Sequence, residues 1–124
     1  MPGRELKPVY WVASARKDLR NFPREVQRSV GYALFRAQEG KTAPAAKPLK
    51  GIIKGAGILE VVEDSKGNTY RVVYRVRFPE AVYVLHSFQK KSKKGIATPK
   101  HEIVLIRERY RAARAHHENR RKDQ

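Results

Sequence analysis

Two arginines four residues apart, Arg71 and Arg75, sit in the segment Thr69 to Phe78, where apolar residues recur at every second position: Tyr70, Val72, Tyr74, Val76 and Phe78. Successive side chains of a strand leave on opposite faces, so the apolar row marks a core face and the other face carries Arg71, Arg75 and Arg77. A guanidinium is a permanent charge with a planar fork of donors, suited to gripping phosphate oxygens. Lys90, Lys91, Lys93 and Lys94 follow in QKKSKK, at the end of the next strand-like segment. Lys47, Lys50 and Lys54 of KPLKGIIK are candidates for an opposite wall. Together this is the footprint of a polyanion site, with Lys47, Lys50, Lys54, Arg75, Lys90, Lys93 and Lys94 as RNA-binding candidates. Taken alone, the lysine run reads equally as a solvated charge cluster.

Were such a face to act on a bound RNA phosphodiester as well as grip it, the reaction would take a base for the 2′-hydroxyl proton, a cation for the charge that builds on the phosphoryl group, and an acid for the leaving 5′ oxygen. Arg71 is the leading candidate for the cation, with Arg75 and Lys91 beside it. Glu60, on the arginine side of the strand Ile58 to Asp64, is a candidate base; it reads equally as a cross-strand partner that orients Arg71 or Arg75. A lysine whose pKa is lowered by its neighbours is an alternative base. His86 is a candidate acid, since an ordinary imidazole titrates near neutrality. Its placement turns on register. Pairing Phe78 with Val82 through a loop at Pro79 to Ala81 sends Val82, Val84, His86 and Phe88 to the apolar face and leaves Ser87, Gln89 and Lys91 with the arginines. A shorter loop reverses this. The first register is preferred, and under it a hydrogen-bonded core histidine is the plainer reading of His86.

The elements that must position these residues follow from periodicity and punctuation. Val9 to Val12 is long enough for a strand, and Ser14 is placed to cap a short helix through Phe22. A second helix opens at Pro23 and runs to Glu39 before Gly40, burying Val26, Val30, Ala33, Leu34 and Ala37; the two helices should form a hairpin. Residues 40–57 read as an irregular connection. Ile58 to Asp64, Thr69 to Phe78 and Val82 to Lys90 form an antiparallel meander turning at Ser65-Lys66-Gly67-Asn68 and at Pro79-Glu80. Thr98-Pro99 opens a last helix with Ile103, Ile106, Tyr110 and Ala113 on one face, and the tail from His116 is expected to fray. The result is an α+β class: a small, mostly antiparallel sheet, an N-terminal helical hairpin and a C-terminal helix, with the helices on one face.

A chain of 124 residues fits one domain spanning 1–124. Lys plus Arg number 28 against 12 Asp plus Glu, a net charge of +16 that favours phosphate-rich partners over membranes, since the basic residues do not follow one helix face. The absence of cysteine excludes disulfides and thiolate metal sites and suits the cytoplasm. The first residues lack the apolar core of a signal peptide, and no stretch is long and apolar enough to span a bilayer, so a soluble protein is expected.

KPLKG before the meander, TYRVVY in its middle strand, VYVLHSFQKKSKK in its last and TPKHEI at the final helix together resemble the phage-derived, HigB-like branch of the RelE toxin superfamily, over residues 8–113. The resemblance implies a RelE-like fold, a ribosome-dependent endoribonuclease that cleaves messenger RNA and inhibits translation, and a cognate antitoxin, often with a helix-turn-helix domain. It implies no metal and no other cofactor. Arg71 matches the family's sheet arginine, which stabilises charge on the scissile phosphate; Lys90 and Lys91 match basic residues at the end of the last strand. Ile58 and Glu60 stand where RelE carries lysines, so lysine-based proton transfer does not carry over, and His86 and His101 remain alternatives. A noncatalytic RNA- or ribosome-binding protein using the same basic face is the main rival reading. A phage-borne module directed at a host protein is a third.

Overall fold

The computed structural model describes residues 5–53, 55–76, 78, 80–90 and 98–122. Lys54, Arg77, Lys91, Lys93 and Lys94 lie outside the described residues, and Lys90 is described in its backbone only. The chain runs β1 (Val9–Trp11), α1 (Ala15–Arg20), α2 (Arg24–Gln38), β2 (Ala46–Pro48), β3 (Ile58–Ser65), β4 (Asn68–Arg75), β5 (Val82–Lys90) and α3 (Lys100–Lys122). The sheet order is β1-β5-β4-β3-β2, antiparallel except for β1 against β5. This is the α+β class that the pattern predicts.

Local chemistry explains the boundaries. Lys66 (φ 49°) and Gly67 (φ 82°) hold the two positive-φ positions of a two-residue turn, which sets Ser65 opposite Asn68 and with it the whole β3–β4 register. The Pro23 carbonyl accepts from the amides of Val26 and Gln27 at 3.0 Å, opening α2 where proline's missing donor costs nothing. Gly40 at φ 82° follows the end of that helix. Ser14 does not cap α1 with its side chain; its hydroxyl donates to the Asp18 carboxylate at 2.7 Å. The connection read as irregular contains β2, which pairs Lys47 with Glu60.

The helices occupy both faces of the sheet, not one. Val26, Val30, Ala33, Leu34 and Ala37 of α2, with Ala15 and Leu19 of α1, pack on Val61, Tyr70, Val72, Tyr74, Val82 and Val84. On the arginine side a second core joins Ile106, Tyr110 and Ala113 of α3 to Val73, Tyr83, Leu85 and Phe88. The helical stripe of α3 does not stop at Ala113. His117 continues it, 6% exposed, with Nε2 3.0 Å from Glu80 and its ring 4.4 Å from Phe78. Burial of that residue keeps helical the segment expected to fray from His116, and α3 runs to Lys122. Phe78 itself lies beyond β4 and packs with α3, so it leaves the apolar row to which alternation assigns it.

The preferred β4–β5 register, with Phe78 opposite Val82, is not the one formed: β4 ends at Arg75, which pairs with Tyr83, and a β-bulge shifts the pairing once more beyond Val84. Tyr74 pairs with Val84, which keeps Val82 and Val84 on the face of α1 and α2 as expected. The next pair is Val73 with His86, so Leu85 is an extra residue and the alternation inverts beyond it. His86 and Phe88 therefore join the arginine face, whereas Ser87 pairs with Val72 and Gln89 with Tyr70. Strand alternation alone assigns all four to the opposite sides.

Candidate functional site

Arg71 leaves the sheet toward the start of α3. Its Nη1 donates to Glu60 Oε2 at 3.2 Å and to Thr98 Oγ1 at 3.3 Å. The two ion-paired side chains are 18% and 14% exposed, and Arg71 Nε is buried with no hydrogen-bond partner. Three segments thus fix one guanidinium: β4 supplies it, β3 its counter-charge, and the residue before α3 its neutral acceptor. The cross-strand role considered for Glu60 is the one its geometry displays.

Arg75 is placed differently. Its guanidinium carbon lies 4.4 Å from the centre of the Phe78 ring and 4.9 Å from that of Tyr110, within cation–π range. Its Nε and Nη1 are buried without hydrogen-bond partners. Lys47 and Lys50 are exposed beside β3, and Lys90 pairs with Thr69 at the end of β5.

His86, 5% exposed, is held from both sides. Arg109 Nη1 lies 2.9 Å from its Nδ1, and an arginine can only donate, so Nδ1 is the acceptor and the ring proton sits on Nε2. That proton is donated to Glu102 Oε2 at 3.0 Å. Arg109 also donates to the Leu85 carbonyl and to Ser14 Oγ, each at 3.2 Å. The other carboxylate oxygen of Glu102 lies 3.3 Å from Nε2 of His101, a side chain that is 76% exposed. Burial pushes the His86 pKa below its ordinary 6.5; the Glu102 carboxylate opposes this and the Arg109 charge adds to it.

The sign of that shift gives a measurable result. Since folded His86 binds its proton more weakly than the unfolded chain does, its contribution to stability is complete above about pH 6.5 and is lost as the pH falls. A His86→Gln variant keeps a donor toward Glu102 but cannot titrate. Its stability deficit relative to the parent, followed by thermal melting from neutral pH to pH 5, should shrink as acid is added. A deficit that stays constant would mean that His86 binds protons equally well folded and unfolded.

Glu102, Arg109 and Ser14 are site residues that sequence reasoning misses. Glu102 and Arg109 stand seven apart on α3, two turns along one side of the apolar stripe, and that spacing is a readable signal. Nothing in it names His86 as their partner, because His86 reaches them only through the bulge at Leu85.

Among the described residues no three His, Asp or Glu side chains gather as a metal site would require, and no helix is long and apolar enough to cross a membrane. The family described as "Phage derived protein Gp49-like (DUF891)" matches residues 17–111. The chain belongs to that family. The matched span of this Gp49-like protein runs from α1 into α3 and includes Arg71, Glu60, His86, Glu102 and Arg109. The expectation of a phage-derived family is met. No protein of curated function matches the sequence. Among solved structures, the Gp49-like chain is similar to one in the toxin-antitoxin complex RelBE2 from Mycobacterium tuberculosis. The identity is 22%, the match covers 74% of this chain and 100% of that one, and the TM-score is 0.45.

Proposed function

We propose that this Gp49-like protein is the toxin of a toxin–antitoxin pair: a metal-independent endoribonuclease of the cytoplasm that cleaves messenger RNA on the ribosome and is silenced by an antitoxin. The observation that carries the reading is Arg71, a partly exposed guanidinium held in place by Glu60 and Thr98, in a chain with a net charge of +16. A cation fixed in advance where charge builds on a phosphoryl group lowers the barrier without reorganising during the reaction. Lys47, Lys50, Lys54, Arg75, Lys90, Lys93 and Lys94 contact the RNA backbone in this scheme, and Lys91 is assigned to the transition-state charge together with Arg71. Glu60 orients Arg71, and His86 serves through its hold on Glu102. The motif resemblance to HigB-like toxins supports the same function.

Induced expression should arrest growth, and mapping RNA ends in arrested cells should reveal new cuts within messages. Co-expression of the antitoxin, a small neighbouring gene product with an acidic or apolar contact segment, should restore growth and yield a stable complex. Affinity for single-stranded RNA should fall steeply with salt, with a logarithmic slope of about 0.7 per phosphate contacted. Binding that ignored salt would remove the electrostatic basis. The Arg71–Glu60 ion pair favours a second reading, a noncatalytic RNA- or ribosome-binding protein, because its guanidinium already has a counter-charge. Arrest without new RNA ends would select that reading.

A further inference from the structure

We infer that the cleft between α1 and the outer border of β5 is a nucleobase site that selects guanine through Asp18 and Ser87. That the guanine comes from RNA rests on the function proposed above; its recognition does not. The cleft follows from two features of the fold. β1 pairs with β5 over Val82 to Val84 and no further, and α1 packs against β5. The bulge at Leu85 then turns Ser87 and Gln89 away from the arginine face. What results is a cleft of about 300 Å³, lined by Asp18, Asn21 and Phe22 from α1 and the residues after it and by Ser87, Phe88 and Gln89 from β5, with His86 beside them.

The lining points to a ligand and to its chemistry. Ser87 is 1% exposed and its hydroxyl has no hydrogen-bond partner, a cost that a polar group brought into the cleft would remove. A serine turns among three staggered rotamers, so the hydroxyl reaches such a group without moving the strand. Asp18 contributes a carboxylate held in place: Ser14 donates to its Oδ2 at 2.7 Å, and Arg109 donates to Ser14 at 3.2 Å. A carboxylate only accepts, and Ser14 takes one of its roughly four lone-pair sites. Among the described residues no lysine or arginine lines the cleft, in a chain that has 28 of them. The cleft therefore suits a group that donates hydrogen bonds, not a phosphate.

Guanine is the base that matches this lining. Its N1–H and its exocyclic amino group are adjacent donors and meet the two oxygens of one carboxylate. Adenine and cytosine set their amino group beside an acceptor, and uracil sets one donor between two acceptors. The side-chain amides of Asn21 and Gln89 can donate to the guanine O6. Phe22 and Phe88, each 8% exposed, provide apolar walls for a flat ring. Phe88 is also the ladder partner of Arg71, so the cleft lies one to two strand spacings, about 5–10 Å, from the position that carries that guanidinium. One nucleotide spans such a distance, with its phosphate toward Arg71 and its base in the cleft.

The test titrates the intact protein with guanosine, inosine, adenosine, cytidine and uridine 5′-monophosphates, following backbone amide signals by NMR, with ribose 5-phosphate as the control for binding through phosphate alone. The guanosine nucleotide should bind at least about tenfold more tightly than the others, inosine included because it lacks the amino group, since a hydrogen bond to a charged group is worth that much. The largest shifts should fall at Asp18, Ser87 and Gln89. Ser87→Ala removes a hydroxyl that has no partner, so it should melt no lower than the parent and yet weaken the guanosine nucleotide about tenfold. Asp18→Asn should narrow the preference for guanine, with melting to follow the loss of the bond from Ser14. A second arm uses single-stranded RNA oligonucleotides that differ in one guanine. Preference in the oligonucleotides alone identifies RNA as the source, and preference in the monophosphates alone identifies a free nucleotide; absence from both overturns the site, as does a Ser87→Ala variant that binds every probe like the parent. Neither arm needs cleavage. A parent that makes no new RNA ends defeats the ribonuclease reading and leaves this site standing, and one that cuts messages but binds all bases equally does the reverse.

Discussion

Arg71→Ala is expected to abolish growth arrest and to slow RNA cleavage by about 10²–10³-fold, the usual loss when one preorganised donor to a developing oxyanion is removed. The alanine variant alone is a blunt instrument, because it strands the largely buried Glu60 carboxylate at an expected cost of about 1–3 kcal/mol. Arg71→Ala combined with Glu60→Gln removes the stranded charge. The double variant should melt near the parent and still fail to arrest growth. Arg71→Lys keeps the charge but loses the planar fork, and partial activity at most is expected. Growth curves at matched expression, paired with melting temperatures, separate the effects. A well-folded double variant as toxic as the parent would place the chemistry elsewhere.

The largest expected stability effect belongs to Ile106. It is fully buried between α3 and the sheet, in the core that includes Val73, Leu85 and Tyr110. Truncation to alanine removes three carbons and leaves a cavity, at an expected cost of about 2–5 kcal/mol. In a domain of this size that is a fall in Tm on the order of 10–20 °C. Val104, half exposed on the same helix, is the control, and its replacement by alanine should change stability by less than about 0.5 kcal/mol. Equal melting temperatures for the two variants would show that α3 is not seated on the sheet as described.

The fold was legible wherever one face of an element is apolar and the other polar. Tyr70, Val72 and Tyr74 against Arg71 and Arg75 identify a strand and its two sides, and the α2 stripe from Val26 to Ala37 identifies a buried helix face. Val82 to Phe88 is different: VYVLHSF is apolar in both registers, so an inserted residue at Leu85 leaves no trace in the pattern. That one residue decides where His86 points. Ala46–Pro48 has nothing strand-like in its composition and is a strand only because β3 offers an edge. In HHENRRKDQ, a single buried histidine among charged residues carries the helix onward, and averaged polarity hides it. Of the candidate site, Arg71 and Glu60 were readable from alternation. The His86, Glu102 and Arg109 chain was not, because it depends on the bulge and on which face α3 covers.

The two ends of the sheet bear on self-association. β3, β4 and β5, of eight, eight and nine residues, are all interior, while the sheet terminates in β1 and β2, of three residues each. A long apolar strand at an edge is a template on which further copies can add. Here the most apolar segment, VYVLHSF, has β4 on one side and, over Val82 to Val84, β1 on the other, and α1 packs against it. The opposite border ends in exposed Lys47 and Pro48; the first brings a charge, and the second lacks the amide hydrogen that strand addition requires. The architecture therefore protects the sheet against fibrillar stacking through the brevity and chemistry of its borders, independently of the electrostatic repulsion between copies.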